Sequence, residues 1–191
     1  MTVRFFRILV CQLLLVFACA GAHAAEGTID ITRASIEASE DGYRLAANYS
    51  FDLNPGLEQA VQRGLPLYFT TEIELTRPRW WWTDDKAVST RRTMRLHYDV
   101  LTRQYIVLVV GVAGSIQQTY PTLDDALFPI RHPNRWLIAR KGDLKPGETY
   151  NVTLRMFMDR EYMQKPLQVD AFNNADLRLA SHKKTFTYRA E

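Results

Sequence analysis

Tyr150, Val152, Leu154, Met156 and Met158 are apolar at every second position, and most of the residues between them are polar. A period of two puts one row of side chains on each face of an extended strand, so this stretch reads as a half-buried strand. It is entered through Leu144-Lys145-Pro146-Gly147-Glu148-Thr149. Pro146 presets one backbone angle and Gly147 tolerates a positive one, so Lys145 to Glu148 reads as a tight turn. The same alternation recurs at Tyr43, Leu45, Ala47, Tyr49 and Phe51, set against Arg44, Ala46, Asn48, Ser50 and Asp52. Glu40-Asp41-Gly42 ahead of it is a turn signal, which makes a hairpin with the looser alternation of Thr28 to Ser39. A chain written this way must build sheets with one buried face.

A Leu, a Pro-Gly turn and a Tyr that opens a strand resemble the tyrosine corner of immunoglobulin-like and fibronectin-type sandwiches. There the Tyr hydroxyl bonds back to the backbone a few residues upstream. The expected fold is therefore all-β: an immunoglobulin/fibronectin-like antiparallel β-sandwich with two short helices in its connections. Asn54 is the N-cap of the first helix, Pro55 suits its first position, and Gly64 suits its exit. Thr122 caps the second, with Asp125 in the capping-box position and Pro129 limiting its length. Leu67, Phe69, Thr71, Ile73 and Leu75 line one side of a further strand. Val88, Thr90, Met94, Leu96 and Tyr98 line another, and Arg92 breaks that inner row, which implies that part of the row is open to water. Tyr105 to Val110 is continuously apolar and reads as a central strand covered on both faces. Trp136 and Ile138 mark the strand leading into the corner, and Lys165 to Val169 and Lys183 to Arg189 supply closing strands. If the strands alternate in direction, the Asp41 turn, the 77–86 connection, the Gly111–Gly114 reversal and the corner share one end. Both helices, Leu101 to Gln104 and Asp159 to Pro166 share the other.

The first 24 residues read as a secretory signal peptide. Arg4 and Arg7 give a positive start, Phe5 to Ala20 is an apolar run, and Ala22-His23-Ala24 fits the small-x-small cleavage pattern. As a membrane anchor the run falls short of the ~20 residues that span a bilayer. Val16-Phe17-Ala18-Cys19 loosely resembles a lipobox, which would lipidate Cys19, but Phe17 fits it poorly. The expectation is a periplasmic protein of residues 25–191, one domain, with no transmembrane span in the mature chain. Losing Arg4 and Arg7 lowers the formal charge from +3 to +1. No clustered basic excess points to nucleic acid. Both cysteines, Cys11 and Cys19, fall in the signal, so disulfides and thiol ligands play no part in the mature protein.

The chain resembles the exported proteobacterial proteins grouped as domain of unknown function 4390. The resemblance rests on Leu53-Asn54-Pro55, Arg63-Gly64, Leu67-Tyr68-Phe69, Arg77-Pro78-Arg79-Trp80-Trp81, Leu101 to Tyr105, Leu123 to Leu127 and Lys165 to Val169. It covers essentially the whole mature chain. It implies no activity, because the family has none established. It does imply a partner, since genes of the family commonly lie beside a membrane-bound sensor kinase of the nitrogen-regulation type.

The candidate binding residues are Arg77, Arg79, Trp80, Trp81 and Trp82 in one connection, and Arg103 in another. Three consecutive tryptophans cannot all point the same way on an extended chain. Trp80 and Trp82 capping the core, with Trp81 on the surface, is one reading. An aromatic platform beside arginines, for a cell-wall glycan or a partner protein, is the other. His97, His132 and His182 lack zinc-type spacing. Asp84-Asp85 and Asp124-Asp125 are explained by solvated loop charge and helix-dipole support. No catalytic residue, metal site or cofactor is expected. The reading is a non-enzymatic periplasmic interaction module, accessory to a sensor kinase, with glycan binding through the tryptophan loop as the alternative.

Overall fold

The computed structural model describes residues 27–78, 85–112, 114–162 and 178–191. Strand β1 (Gly27–Ser39) turns through Asp41 into β2 (Gly42–Ser50), in register from Asp30 opposite Ser50 to Ser39 opposite Gly42. Side chains hold the turn: the Ser39 hydroxyl donates to Asp41, and the Arg44 guanidinium lies 2.7 Å from Asp41 Oδ2. Arg44 first, then Ser39, keep the Asp41 carboxyl down at about 2. Gly42 is needed at this position. Its φ is +144°, and a Cβ there would sit 2.2 Å from the Ala139 carbonyl oxygen.

Helix α1 (Pro55–Gln62) starts at Asn54, whose side-chain oxygen accepts from the Leu57 N–H at 2.9 Å, and it buries Leu57 and Val61. Strands β3 (Leu67–Arg77), β4 (Asp85–Asp99), β5 (Gln104–Val109) and β6 (Gln118–Tyr120) follow as antiparallel neighbours. Helix α2 (Leu123–Arg131), capped by Thr122, buries Ala126, Leu127 and Ile130. Strand β7 (Trp136–Arg140) then pairs with β2. Strand β8 (Thr149–Met158) has β3 on one side. On its other side lie β10 (Lys184–Arg189) and, at Phe157, β9 (Leu179–Ser181).

The order across the sheet is β6-β5-β4-β3-β8-β9-β1-β2-β7, with β10 also on β8. The fold is mostly β with two helices, and its sheet is one curled half-barrel. The sheet is mixed, because β1 runs parallel to β9 over Gly27–Ile29 while the other pairs are antiparallel. Alternation could not announce this: a period of two fixes which face is buried, not which way the neighbour runs. Gly27–Ile29 of β1 pair with β9, and from Asp30 the strand pairs with β2, with an irregularity between Ile31 and Arg33.

The inner rows read from the sequence form the core. Leu67, Phe69, Ile73 and Leu75 of β3 face inward with Val152, Leu154, Met156 and Met158 of β8. Leu45, Ala47 and Tyr49 of β2 are buried in the same cluster. The bond expected at the corner is present. The Lys145 N–H donates to Tyr150 Oη at 2.9 Å, with Leu144 and Tyr150 both buried. Gly147 has φ +80° and the Glu148 N–H bonds the Lys145 carbonyl, which is a type II turn.

The single mixed sheet differs from the antiparallel sandwich expected, and one strand lies elsewhere than expected. Tyr105 to Val110 is not central: β5 lies one place from the end of the sheet, and β6 covers it only at Tyr105–Val107. The Gly111–Gly114 reversal therefore comes at mid-height of β4, where the Val110 N–H bonds the Thr93 carbonyl. Below it, β4 from Lys86 to Arg92 has no strand on that side among the described residues. The closing strand expected at Lys165 to Val169 lies outside the described residues.

Candidate functional site

Of the six residues singled out in the sequence, Arg79, Trp80, Trp81 and Trp82 lie outside the described residues. Arg77 ends β3 opposite Asp85 of β4, and its guanidinium bonds that carboxylate at 2.9 Å. Arg103 is exposed in the turn between β4 and β5, with φ +55°. The length of β4 separates these two arginines, so they do not share a site.

A groove of about 650 Å³ lies instead where the curled sheet stays open, between β4 and β5 on one side and β7 with the end of α2 on the other. Ile116 and Phe128 on its rim are 81% and 62% exposed, and Val112 and Leu137 beside them are also exposed. Scattered exposed hydrophobic residues are ordinary, but a contiguous set along one concavity marks a surface built to be covered. The charges along the groove are Arg91, Arg92 and Arg135, and no described carboxylate lines it.

Arg92 is the unusual member. It stands opposite Thr71 on the face that also carries Met94 and Leu96, so its side chain starts from the inner face of the sheet. It is half-buried and has no hydrogen-bond or ion-pair partner among the described residues. Loss of water pulls its pKa below the ordinary arginine value. Tyr49 and Thr71 add hydroxyls to the same inner face. Burial pushes the Tyr49 phenol up to about 12, with the Thr71 hydroxyl opposing the shift but not reaching hydrogen-bond geometry.

A second hollow, of about 640 Å³, lies on the outer face and mixes both signs: Arg91 and Arg155 stand against Glu72 and Asp159. Asp159 is already engaged. It is buried, and its oxygens accept from Thr70 Oγ1 and the Glu161 N–H, both at 3.0 Å. Thr70 in turn lies 2.7 Å from the Thr93 hydroxyl, so this network ties β3, β4 and the end of β8 together. Among the described residues no group of three His, Cys, Asp or Glu side chains could hold a metal ion. None of their helices is long and apolar enough to cross a membrane.

Residues 26–187 match the model of the family described as Domain of unknown function (DUF4390). The chain belongs to this family. No curated protein and no solved structure matches it. Membership of the DUF4390 family brings no activity with it, so chemistry has to be argued from the groove. Sequence reasoning gave one pointer to that groove, the arginine interrupting the inner row of β4. It missed the rim residues, because Val112, Ile116, Phe128 and Leu137 sit in four separate stretches that only the curl of the sheet brings together.

Proposed function

We propose that this protein is a non-enzymatic periplasmic interaction module that docks on the external region of a membrane-bound sensor kinase. The observation that carries the reading is the gathering of exposed Val112, Ile116, Phe128 and Leu137 along one groove whose described charges are all positive. Apolar groups placed together at a concave surface, with charged groups beside them, are the makings of a protein interface. The kinase is what the family resemblance implies, and the signal-like start of the sequence supports the compartment. The same reading treats the half-barrel as a variant of the immunoglobulin-like sandwich. Its support is the Tyr150–Lys145 bond at the corner and the facing inner rows of β3 and β8. Fold analogy by itself assigns no function, so the test addresses the groove.

The test is a pull-down of the kinase's soluble external region with residues 25–191, run beside Ile116→Asp, Phe128→Asp and Arg103→Ala. Capture by the wild type, loss in the two groove variants and retention by Arg103→Ala are expected. No capture by the wild type, or undiminished capture by both groove variants, refutes the reading. Retention on peptidoglycan that Trp81→Ala abolishes would assign glycan binding through the tryptophan loop. Turnover of an envelope substrate would overturn the non-enzymatic part.

A further inference from the structure

We infer that the groove receives a short extended segment of a partner protein that mixes acidic and apolar residues, with one carboxylate seated on Arg92. This rests on the module reading above and adds the chemistry of what is bound.

Arg92 is a cation without a partner among the described residues. Withdrawing a guanidinium from water without a partner is costly, and a carboxylate with matching fork geometry compensates best. Arg92 has no such partner among the described residues, and every other described charge lining the groove is also positive. An anion is therefore the complementary ligand, and the described lining offers no carboxylate of its own. The distribution of apolar groups narrows the choice. They lie on the exposed rim, and the cation rises from the inner face. An acyl chain with its head on Arg92 would leave its tail along the most exposed side chains. A peptide fits the reverse order: one acidic side chain points inward, and its apolar neighbours lie on Ile116, Phe128 and Leu137.

The backbone adds a third element. The Thr93 carbonyl accepts from Val110 and so points toward β5. In an antiparallel strand the N–H and C=O of alternate residues point to the same side, so those of Arg91 and Ser89 face the edge of β4 that no described strand covers. An extended segment can bond there beside its seated carboxylate, as in strand addition. The register shift opposite Leu75 and Thr76 ends this run, which limits the segment to a few residues.

The experiment selects phage-displayed random peptides on residues 25–191 in parallel with the Arg92→Met and Arg92→Lys variants. Binding of the enriched peptides is then measured by fluorescence anisotropy. The wild type should enrich sequences with Asp or Glu flanked by apolar residues. Arg92→Met, or replacement of the peptide's acid by its amide, should weaken binding roughly tenfold or more. Arg92→Lys should restore part of the loss, and raised salt should weaken the wild type more than Arg92→Met. Unchanged circular dichroism of Arg92→Met confirms that the variant folds. Failure to enrich acidic sequences, or equal affinity of wild type and Arg92→Met, overturns the inference. Displacement of the peptides by laurate, with laurate itself bound through Arg92, would assign the groove to a lipid carboxylate and also overturns it. Kinase capture unaffected by Arg92→Met would leave the module standing and sink this inference. Arg92-dependent peptides without kinase capture would do the opposite.

Discussion

Tyr150→Phe removes one oxygen and leaves the ring in place. The ring is buried and keeps its packing, so the change isolates the bond from the Lys145 N–H, 2.9 Å long. Such a bond contributes a net ~0.5–1.5 kcal/mol. Lys145 is exposed, so its freed N–H can turn to water, and the cost should fall near the middle of that range, about 1 kcal/mol. For a domain of this size that lowers Tm by roughly 2–4 °C. Two other tyrosines calibrate the number. Tyr43 Oη donates to the main-chain oxygen of Glu191 at 3.3 Å, a longer bond, so Tyr43→Phe should cost less. Tyr49 Oη is buried without a hydrogen-bond partner among the described residues, so Tyr49→Phe should be neutral or slightly stabilising. Tyr49 also adds a pH signature. Its folded pKa is raised to about 12 from 10.0, so its contribution is complete below pH 10.0 and is lost as pH rises toward 12. Tyr49→Phe should therefore lose less stability than the wild type across that window. Urea unfolding followed by circular dichroism, with m unchanged across the series, reads all three variants. A Tyr150→Phe midpoint equal to wild type, or Tyr49→Phe as costly as Tyr150→Phe, would refute the reasoning.

Gly42→Ala forces a Cβ to within 2.2 Å of the Ala139 oxygen and 2.8 Å of Arg140 Cα, both rigid backbone. Thermal unfolding should show a loss beyond the ~1–3 kcal/mol of backbone strain alone, and a loss under about 1 kcal/mol would mean that β7 yields freely. Asp41→Asn should be less stable than wild type at neutral pH. Because Arg44 depresses the Asp41 carboxyl to about 2, the benefit is present above 3.8 and disappears as pH falls through about 2. The two stability curves should converge there, and a gap constant with pH would rule the ion pair out as its source.

Much of the fold was legible because strand alternation is a local signal. Tyr43 to Phe51, Leu67 to Leu75 and Tyr150 to Met158 place their inner rows as read, and Asn54 and Thr122 cap the helices as read. Strand order was not legible, because no residue of β1 encodes that β9 runs parallel beside it. Val107 to Val110 misled for a related reason. An apolar run is equally suited to a covered strand and to the wall of an apolar groove, and neighbours distant in sequence decide between them. Of the candidate site, only Arg92 left a trace, since a cation in an apolar row breaks a local pattern.

The parallel pairing of β1 with β9 has a consequence for how the protein forms. Its partners stand at nearly opposite ends of the described sequence, so closing that loop comes late and slowly, whereas the β1–β2 and β3–β4 hairpins are local. A chain emerging in order can assemble those hairpins early, yet the described partners of the β8 edge opposite β3 arrive only with residues 179 to 189. During that interval two open strand edges, on β1 and on β8, are available to the wrong neighbour. The short β9 thus acts as a timing element: refolding should show a slow closing phase that removal of Leu179 to Arg189 abolishes, leaving a species prone to aggregate.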